Sequence, residues 1–331
     1  MSDGPHALVS ARGLSKRFDV SAPWLARLIK RQPKLWVHAV SDVDLEIFKG
    51  ETLALVGESG CGKSTLARLL VGLYTPSAGE IFYGSANLNQ VLASAQGQAL
   101  RRRMQMIFQD PYASLNPRWR VHDIVSEPMR VHQTPPDTPE QTQRVQSLLE
   151  SVGLNSRDAS KFPHQFSGGQ RQRISIARAL AVSPEFLVCD EPTSALDVSV
   201  QAQVLNLMQD LQSSMGLTYL FISHNLAVVR HVSDRVGVMY LGRLVELAPT
   251  RQLFSEPRHP YTRMLLAAIP KLKKSGTNRM PIQGEVPNPL NPPSGCAFHP
   301  RCPKATALCQ KETPVLRAFE GIQIACHHTQ G

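Results

Sequence analysis

A chain of 331 residues, 42% of them hydrophobic, is long enough to bury a sizeable core. Lysine and arginine number 36 against 26 aspartates and glutamates, a net charge of +10, yet the one dense basic run is Arg101-Arg102-Arg103 and no aromatics interleave with it, which argues against a nucleic-acid partner. No stretch approaches the ~18 uninterrupted apolar residues of a membrane-spanning helix, and the opening residues Met1 to Arg12 hold no apolar signal core, which argues against export.

Leu8 to Phe18 reads as a short β-like opening. The segment 21–36 (SAPWLARLIKRQPKLW) is a basic, tryptophan-bearing insertion. Trp24, Leu25, Leu28 and Ile29 would share one face of a short helix there, as a membrane or partner contact or as a packed flap. Thr52 to Val56 (TLALV) is a compact apolar run. Glycines follow it, then a helical run with Leu66, Leu69, Leu70 and Leu73 at i, i+3, i+4 and i+7. Met104 to Phe108 reads as another strand. A connector with Pro135, Pro136 and Pro139 precedes a helix containing Val145, Leu148 and Leu149. Residues 170–182 and 200–211 are helical by pattern, the second with Val200, Val204, Leu207, Met208 and Leu211 on one face. Phe186 to Cys189 and Tyr219 to Ile222 are continuous apolar runs of the buried-strand type. Strands alternating with helices predict an α/β domain with a largely parallel sheet. Past Lys271 helical periodicity disappears, and residues 281–314 hold eight prolines. An irregular tail is expected there, carrying Cys296, Cys302, Cys309 and Cys326.

Gly57-Glu58-Ser59-Gly60-Cys61-Gly62-Lys63-Ser64, with Thr65 following, fits G-x-x-x-x-G-K-[ST] between a buried strand and a helix. The glycines let the backbone curl so that N–H groups face phosphate oxygens, and the helix N-terminus adds positive potential. Lys63 is placed to reach the β- and γ-phosphates and Ser64 to sit on Mg²⁺. A second apolar run ends in Asp190 and Glu191. The first would complete the Mg²⁺ shell, and the second would polarise an attacking water as general base.

Phe166-Ser167-Gly168-Gly169-Gln170, with Arg171 and Arg173 beyond, opens a second helix and offers a second anion site. One nucleotide does not need two γ-phosphate cradles in one chain. Two such domains would pair head to tail, each phosphate loop facing the other's Ser-Gly-Gly.

With these motifs in this order, the sequence resembles a nucleotide-binding subunit of the ATP-binding-cassette (ABC) transporters. Gly57–Thr65 looks like Walker A, Ser167–Gln170 like the signature and Val188–Glu191 like Walker B. Gln109 (IFQD) matches the Q-loop, Ser194-Ala195-Leu196-Asp197 the D-loop and His224 (FISHN) the switch histidine. The resemblance implies a P-loop NTPase fold with a RecA-like mixed sheet core, an antiparallel β subdomain and an α-helical signature subdomain near 110–185, all within residues 1–255. It implies that Gln109 senses Mg²⁺ and water, that His224 holds the γ-phosphate and that Asp197 communicates across the dimer. An aromatic ahead of Walker A stacks on adenine in this family. Phe18 is the candidate, and the 21–36 insertion leaves His38 and Trp36 open.

The tail narrows the resemblance. Pro257-Arg258-His259-Pro260-Tyr261-Thr262-Arg263, the later Asn288-Pro289-Leu290-Asn291-Pro292-Pro293-Ser294-Gly295-Cys296, and Asp110-Pro111-Tyr112-Ala113-Ser114-Leu115-Asn116-Pro117 are similar to the dipeptide/oligopeptide permease ATPases, closest to their second ATPase subunit. That implies a C-terminal extension over 256–331 and a translocase that hydrolyses ATP to import di- or oligopeptides. Related importers of the subfamily carry glutathione, nickel chelates or antimicrobial peptides. The implied partners are a paralogous ATPase subunit, two transmembrane permease subunits and a peptide-binding receptor, with this chain at the cytoplasmic face of a bacterial inner membrane. A soluble ABC ATPase acting outside transport would want tandem cassettes or a long coiled coil, and neither is in the sequence. The four tail cysteines, separated by 5, 6 and 16 residues, lack the paired spacing of common zinc modules. The resemblance implies a [4Fe–4S] cluster on them; zinc, with His327 or His299, and free thiols stay open. Cys61 and Cys189 read as small packing residues.

Overall fold

The computed structural model describes residues 6–24, 27, 29, 33–132, 138–268, 285 and 287–328. Its strands are β1 (Ala7–Asp19), β2 (Trp36–Phe48), β3 (Thr52–Val56), β4 (Ala78–Tyr83), β5 (Ala86–Asn87), β6 (Met104–Ile107), β7 (Phe186–Asp190), β8 (Thr218–Ile222), β9 (Arg235–Tyr240), β10 (Arg243–Pro249), β11 (Arg317–Phe319) and β12 (Ile322–Ile324). The chain divides into two compact units, one drawn from Met1–Leu8, Ile47–Thr52 and Ser85–Ser223 and the other from Val9–Glu46, Leu53–Gly84 and His224–Gly331.

In the first unit β6, β7 and β8 lie side by side and parallel, with Ile107 opposite Cys189 and Asp190 opposite Ile222. Every residue of β7 and β8 is buried, which is why both read as unbroken apolar runs. Three helices, Val121–His132, Pro139–Ser151 and Gly168–Leu180, pack on one another. Ile124, Val125, Val145, Leu149 and Ile174 are at most 1% exposed, each such burial contributing roughly 1.5–3 kcal/mol. Arg173 donates to the carbonyl of Val152 at 2.7 Å, satisfying the C-terminus of Pro139–Ser151. The helix Val198–Met215 ends at Gly216, whose φ of 66° supplies the left-handed turn.

In the second unit β3 pairs with β9 in parallel, Val56 opposite Val238. β10 runs antiparallel to β9 with a bulge between Leu244 and Glu246. The tail past Lys271 is not irregular throughout. β12 pairs antiparallel with β10, placing Ile324 opposite Glu246, and β11 closes a hairpin onto β12. A second sheet sets β2, β1 and β4 side by side, and the alternation of Val43, Leu45 and Ile47 with exposed neighbours is that of a strand covered on one face. In the expected helix of the insertion, Trp24 and Ile29 are 70% and 79% exposed; Leu25 and Leu28 lie outside the described residues.

The core of this unit joins strand and tail. Val56, Val238, Tyr240, Tyr261, Phe298 and Ile324 form part of one buried cluster, in which the ring centroids of Tyr240, Tyr261 and Phe298 are 4.7–5.4 Å apart. Glu246 is fully buried, and its two oxygens accept the backbone N–H groups of Arg258 and His259 at 2.9 and 3.0 Å. Those bonds aim the chain into the helix Pro260–Ala267, whose N-cap is His259: its Nδ1 accepts the N–H of Tyr261 at 3.1 Å.

Burial lowers the His259 pKa from 6.5 to about 3. When the chain unfolds, the ring protonates near pH 6.5, so its contribution to stability is complete above that pH and is lost progressively as pH falls towards 3. Between about pH 7.5 and 5 this one group should cost ~2 kcal/mol of unfolding free energy. Urea titrations should show a shallower loss over that window in His259→Asn, which keeps an acceptor for the cap and removes the titration.

Candidate functional site

The phosphate loop connects β3 to the helix Lys63–Leu70. Gly57 and Gly62 have φ of 152° and 106°, and a Cβ on them would lie 2.3 Å from the Met239 carbonyl and 2.1 Å from the Ala39 carbonyl. The curl is therefore available to glycine alone at both places. The carbonyl of Cys61 accepts the N–H of Gly242 at 2.9 Å, and the carbonyl of Gly242 accepts that of Ser41 at 2.8 Å. These bonds wall the loop with the start of β2 and the β9–β10 turn. Lys63 is 6% exposed, and its Nζ donates to the carbonyls of Gly57 and Glu58 at 2.8 and 3.0 Å. Ser59 and Gly60 are exposed, and Ser64 and Thr65 half-buried. Burial raises the pKa of the Cys61 thiol, as suits a packing residue.

In the first unit the register of β6 and β7 brings the Q-loop to the end of β7: Gln109 Nε2 donates to Glu191 Oε2 at 3.0 Å. Glu191 has a φ of 48°, a conformation that non-glycine residues adopt at a cost and that is frequent at working sites. Its N–H still bonds the Ile222 carbonyl, at 3.0 Å. Asp190 is 2% exposed. Ser167 caps the signature helix reciprocally: its Oγ accepts from Gln170 N at 3.4 Å and its N–H donates to Gln170 Oε1 at 3.0 Å. Ser167 and Gln170 are exposed and Gly168 half-buried, so this helix start faces outward. Gly169 is buried, and a Cβ there would sit 2.3 Å from Val200 Cγ1, which fixes the helix start against Val198–Met215. The basic residues after the signature are engaged elsewhere. Arg171 Nε donates to the Pro163 carbonyl and its guanidinium lies 3.9 Å from the Tyr112 ring centroid, while Arg173 holds Val152. Asp197 is the exposed N-cap of Val198–Met215.

In the second unit His224 is exposed beside Asn225, the N-cap of Leu226–Val232. Phe18 meets Tyr74 edge to face at 5.5 Å, and Lys16 Nζ lies 5.2 Å above its ring. Cations lie over Trp36: Arg17 at 4.9 Å and Lys34 at 5.9 Å. His38 is exposed.

The tail cysteines do not support the cluster that the resemblance implied. Among the described residues, no group of three or more His, Cys, Asp or Glu side chains is placed to hold a metal ion. Cys296, Cys302, Cys309 and Cys326 are free thiols. Burial first, and the neighbouring thiols after it, push up the pKa values of Cys296, Cys302 and Cys326, Cys296 to about 11. One ring nitrogen of each histidine weighed for zinc lies against a backbone carbonyl: His299 Nδ1 is 3.0 Å from the oxygen of Cys296, and His327 Nε2 is 2.9 Å from that of Glu312. The described residues thus give no support to a metal group, and no chemistry is routed through one.

Pattern reading missed Arg301. Its guanidinium, with the side chain 2% exposed, holds the Glu58 carboxylate at 2.7 and 2.9 Å. A signal was present, since a glutamate inside an anion-binding loop calls for a cation beside it.

A single chain that carries both a phosphate cradle and a separate, outward-facing capped Ser-Gly-Gly helix start is organised as an ABC-type ATPase, and comparison with known proteins agrees. Residues 40–194 match the ABC transporter family and 245–309 the oligopeptide/dipeptide transporter C-terminal region. The chain is 49% identical over 324 residues to the di/tripeptide transport ATP-binding protein DppF of Pseudomonas aeruginosa, covering 98% of each. It is 52% identical over 298 residues to the putative oligopeptide transport ATP-binding protein YkfD of Bacillus subtilis, covering 89% of this chain and 90% of that one. The fold superposes on the ATP-binding cassette MJ0796, a dimeric post-hydrolysis structure bound to ADP and Pi, with a TM-score of 0.63 at 26% identity over 73% of this chain and 99% of that one. The chain belongs to the ATP-binding subunits of the oligopeptide/dipeptide ABC transporter family, and it is an ATP-hydrolysing motor subunit. Among the described residues no helix is long and apolar enough to cross a membrane.

Gly62→Ala tests the cradle. The added methyl forces the loop off the Ala39 carbonyl, a strain of about 1–3 kcal/mol, and equilibrium binding of a fluorescent ATP analogue should weaken by roughly 10- to 100-fold.

Proposed function

We propose that this chain drives the import of di- and oligopeptides through separate membrane subunits. The cargo reading rests on the printed names of the relatives and on the tail, which matches the oligopeptide/dipeptide transporter C-terminal region. Lys63 and the N–H groups of Gly57 to Thr65 bind the triphosphate, with Phe18 stacking on adenine. Ser64, Asp190 and Gln109 complete the Mg²⁺ shell, Glu191 is the general base and His224 contacts the γ-phosphate. The Glu191–Gln109 hydrogen bond supports this assignment, because it presets the carboxylate that must orient water. The chain works at the cytoplasmic membrane surface with two permease subunits and a peptide receptor.

The observation that carries the motor mechanism is the outward-facing, reciprocally capped start of the signature helix. Its Ser167, Gly168, Gly169 and Gln170 present the helix-end potential to a γ-phosphate held by a second cassette, Gly168 and Gly169 with N–H groups that the capping box does not use, with Asp197 beside that interface. The second cassette is a paralogous ATPase subunit. ATP joins the two, closure moves the membrane subunits through the Q-loop surface, and hydrolysis releases them.

Glu191→Gln should lower ATP turnover by about 10²-fold or more while leaving ATP binding within a few-fold of the parent, and it should abolish growth on dipeptides in cells that depend on this chain. Turnover equal to the parent's would remove Glu191 from the general-base role. Iron and acid-labile sulfide of anaerobically purified protein decide the tail cysteines separately: about four iron atoms per chain would seat a cluster there, and sub-stoichiometric iron leaves them as thiols.

A further inference from the structure

Glu58 occupies the first variable position of the phosphate loop, and all its polar groups are held within its own unit. Its carboxylate takes both terminal nitrogens of Arg301, at 2.7 and 2.9 Å. Its N–H donates to the Tyr261 hydroxyl at 2.9 Å, and its carbonyl accepts Lys63 Nζ at 3.0 Å. Arg301 and Tyr261 lie beyond residue 255, so two of these restraints come from the C-terminal extension. Arg301 itself is seated: its Nη1 also lies 3.3 Å from the Tyr240 hydroxyl, and the short helix His299–Arg301 follows Phe298, which is 2% exposed in the core. A bidentate guanidinium–carboxylate pair fixes orientation as well as distance.

We infer that Arg301 is a positioning residue for nucleotide: acting through Glu58, the extension sets the path of the phosphate loop and neutralises the one carboxylate in that loop. The inference rests on the reading of Gly57–Thr65 as the triphosphate site. An unpaired Glu58 would oppose a triphosphate electrostatically and would free the loop to turn about Gly57 and Gly60. With Arg301 in place the carboxylate is neutralised and the loop N–H groups stay in register for an anion. The cation is supplied from 243 residues away in sequence. The effect belongs to ATP binding rather than to the hydrolytic step, since neither Arg301 nor Glu58 contacts Glu191's water in this scheme.

Three full-length variants test it, by equilibrium binding of a fluorescent ATP analogue and by steady-state turnover. Arg301→Lys keeps the charge and loses the fork, Glu58→Gln keeps the shape and loses the charge, and the double variant Glu58→Gln/Arg301→Gln leaves no stranded charge. Arg301→Lys should bind the analogue about tenfold more weakly, ~1.4 kcal/mol, with a matching rise in KM for ATP and kcat within about twofold, and Glu58→Gln, which loosens the loop but leaves no carboxylate to repel phosphate, should lose less. The double variant should be no worse than Arg301→Lys, because both changes break one interaction. Thermal melts of all three report folding independently. Analogue affinity unchanged in a folded Arg301→Lys, effects that add in the double variant, or a fall confined to kcat would each overturn the inference. A parent chain that fails to bind ATP would instead overturn the reading of the site.

Discussion

The curl of the phosphate loop is the constraint on which the second unit depends. Gly57 and Gly62 press their Cα atoms so close to the carbonyls of Met239 and Ala39 that no side chain fits. The loop's shape is thus dictated by the backbone of Ala39, ahead of it in the chain, and of Met239, far beyond it. Those walls must themselves be held. The β9–β10 turn hydrogen-bonds Cys61 and Ser41 through Gly242, β9 is paired to β3, and β10 is sandwiched between β9 and β12. Ile324 on β12 and Val56 at the mouth of the loop lie in one buried cluster. A chain of ordinary packing contacts therefore leads from the tail hairpin to the residue that begins the cradle.

Placing a glutamate in that cradle creates a second requirement. Two unit charges 4 Å apart interact by ~4 kcal/mol at an effective dielectric constant near 20, so an unpaired Glu58 would offset much of what Lys63 contributes. Pairing it with Arg301 removes the repulsion. The pair is also sheltered, Arg301 at 2% and Glu58 at 18% side-chain exposure, so salt screens it less than a surface bridge. Tyr240 and Tyr261 contribute hydroxyls to the same group of bonds and rings to the core, coupling the polar clasp to apolar packing.

Most of the fold was legible because its signals are local. β3, β7 and β8 are short apolar runs buried throughout, and the helices Lys63–Leu70, Pro139–Ser151, Gly168–Leu180 and Val198–Met215 follow their 3.6-residue periodicity. The capping box of the signature could be read from Ser167 and Gln170 three residues apart. What the sequence hid was non-local. The hairpin Arg317–Ile324 was lost in a proline-rich stretch because three-residue strands show no usable period, and their order comes from pairing with β10. Glu58 and Arg301 are each unremarkable alone; only the fold brings them within hydrogen-bonding distance. Glu191's positive φ likewise has no signature in residue type.

The packing of the extension also bears on why it carries four cysteines. A tail with eight prolines in residues 281–314 looks short of apolar material, and a metal or cluster would be one way to order it. The structure offers another. Phe298, Ile322 and Ile324 are at most 3% exposed within the core shared with Tyr240 and Tyr261, and Glu246 anchors the segment that leads to Tyr261. Order is thus borrowed from the nucleotide-binding unit rather than generated in the tail. Borrowed order runs both ways: if Arg301 steadies the phosphate loop for ATP, bound ATP must steady Arg301 and the extension by the same free energy, since coupling between two sites is reciprocal. The extension then reports on the state of the cradle as much as it supports it.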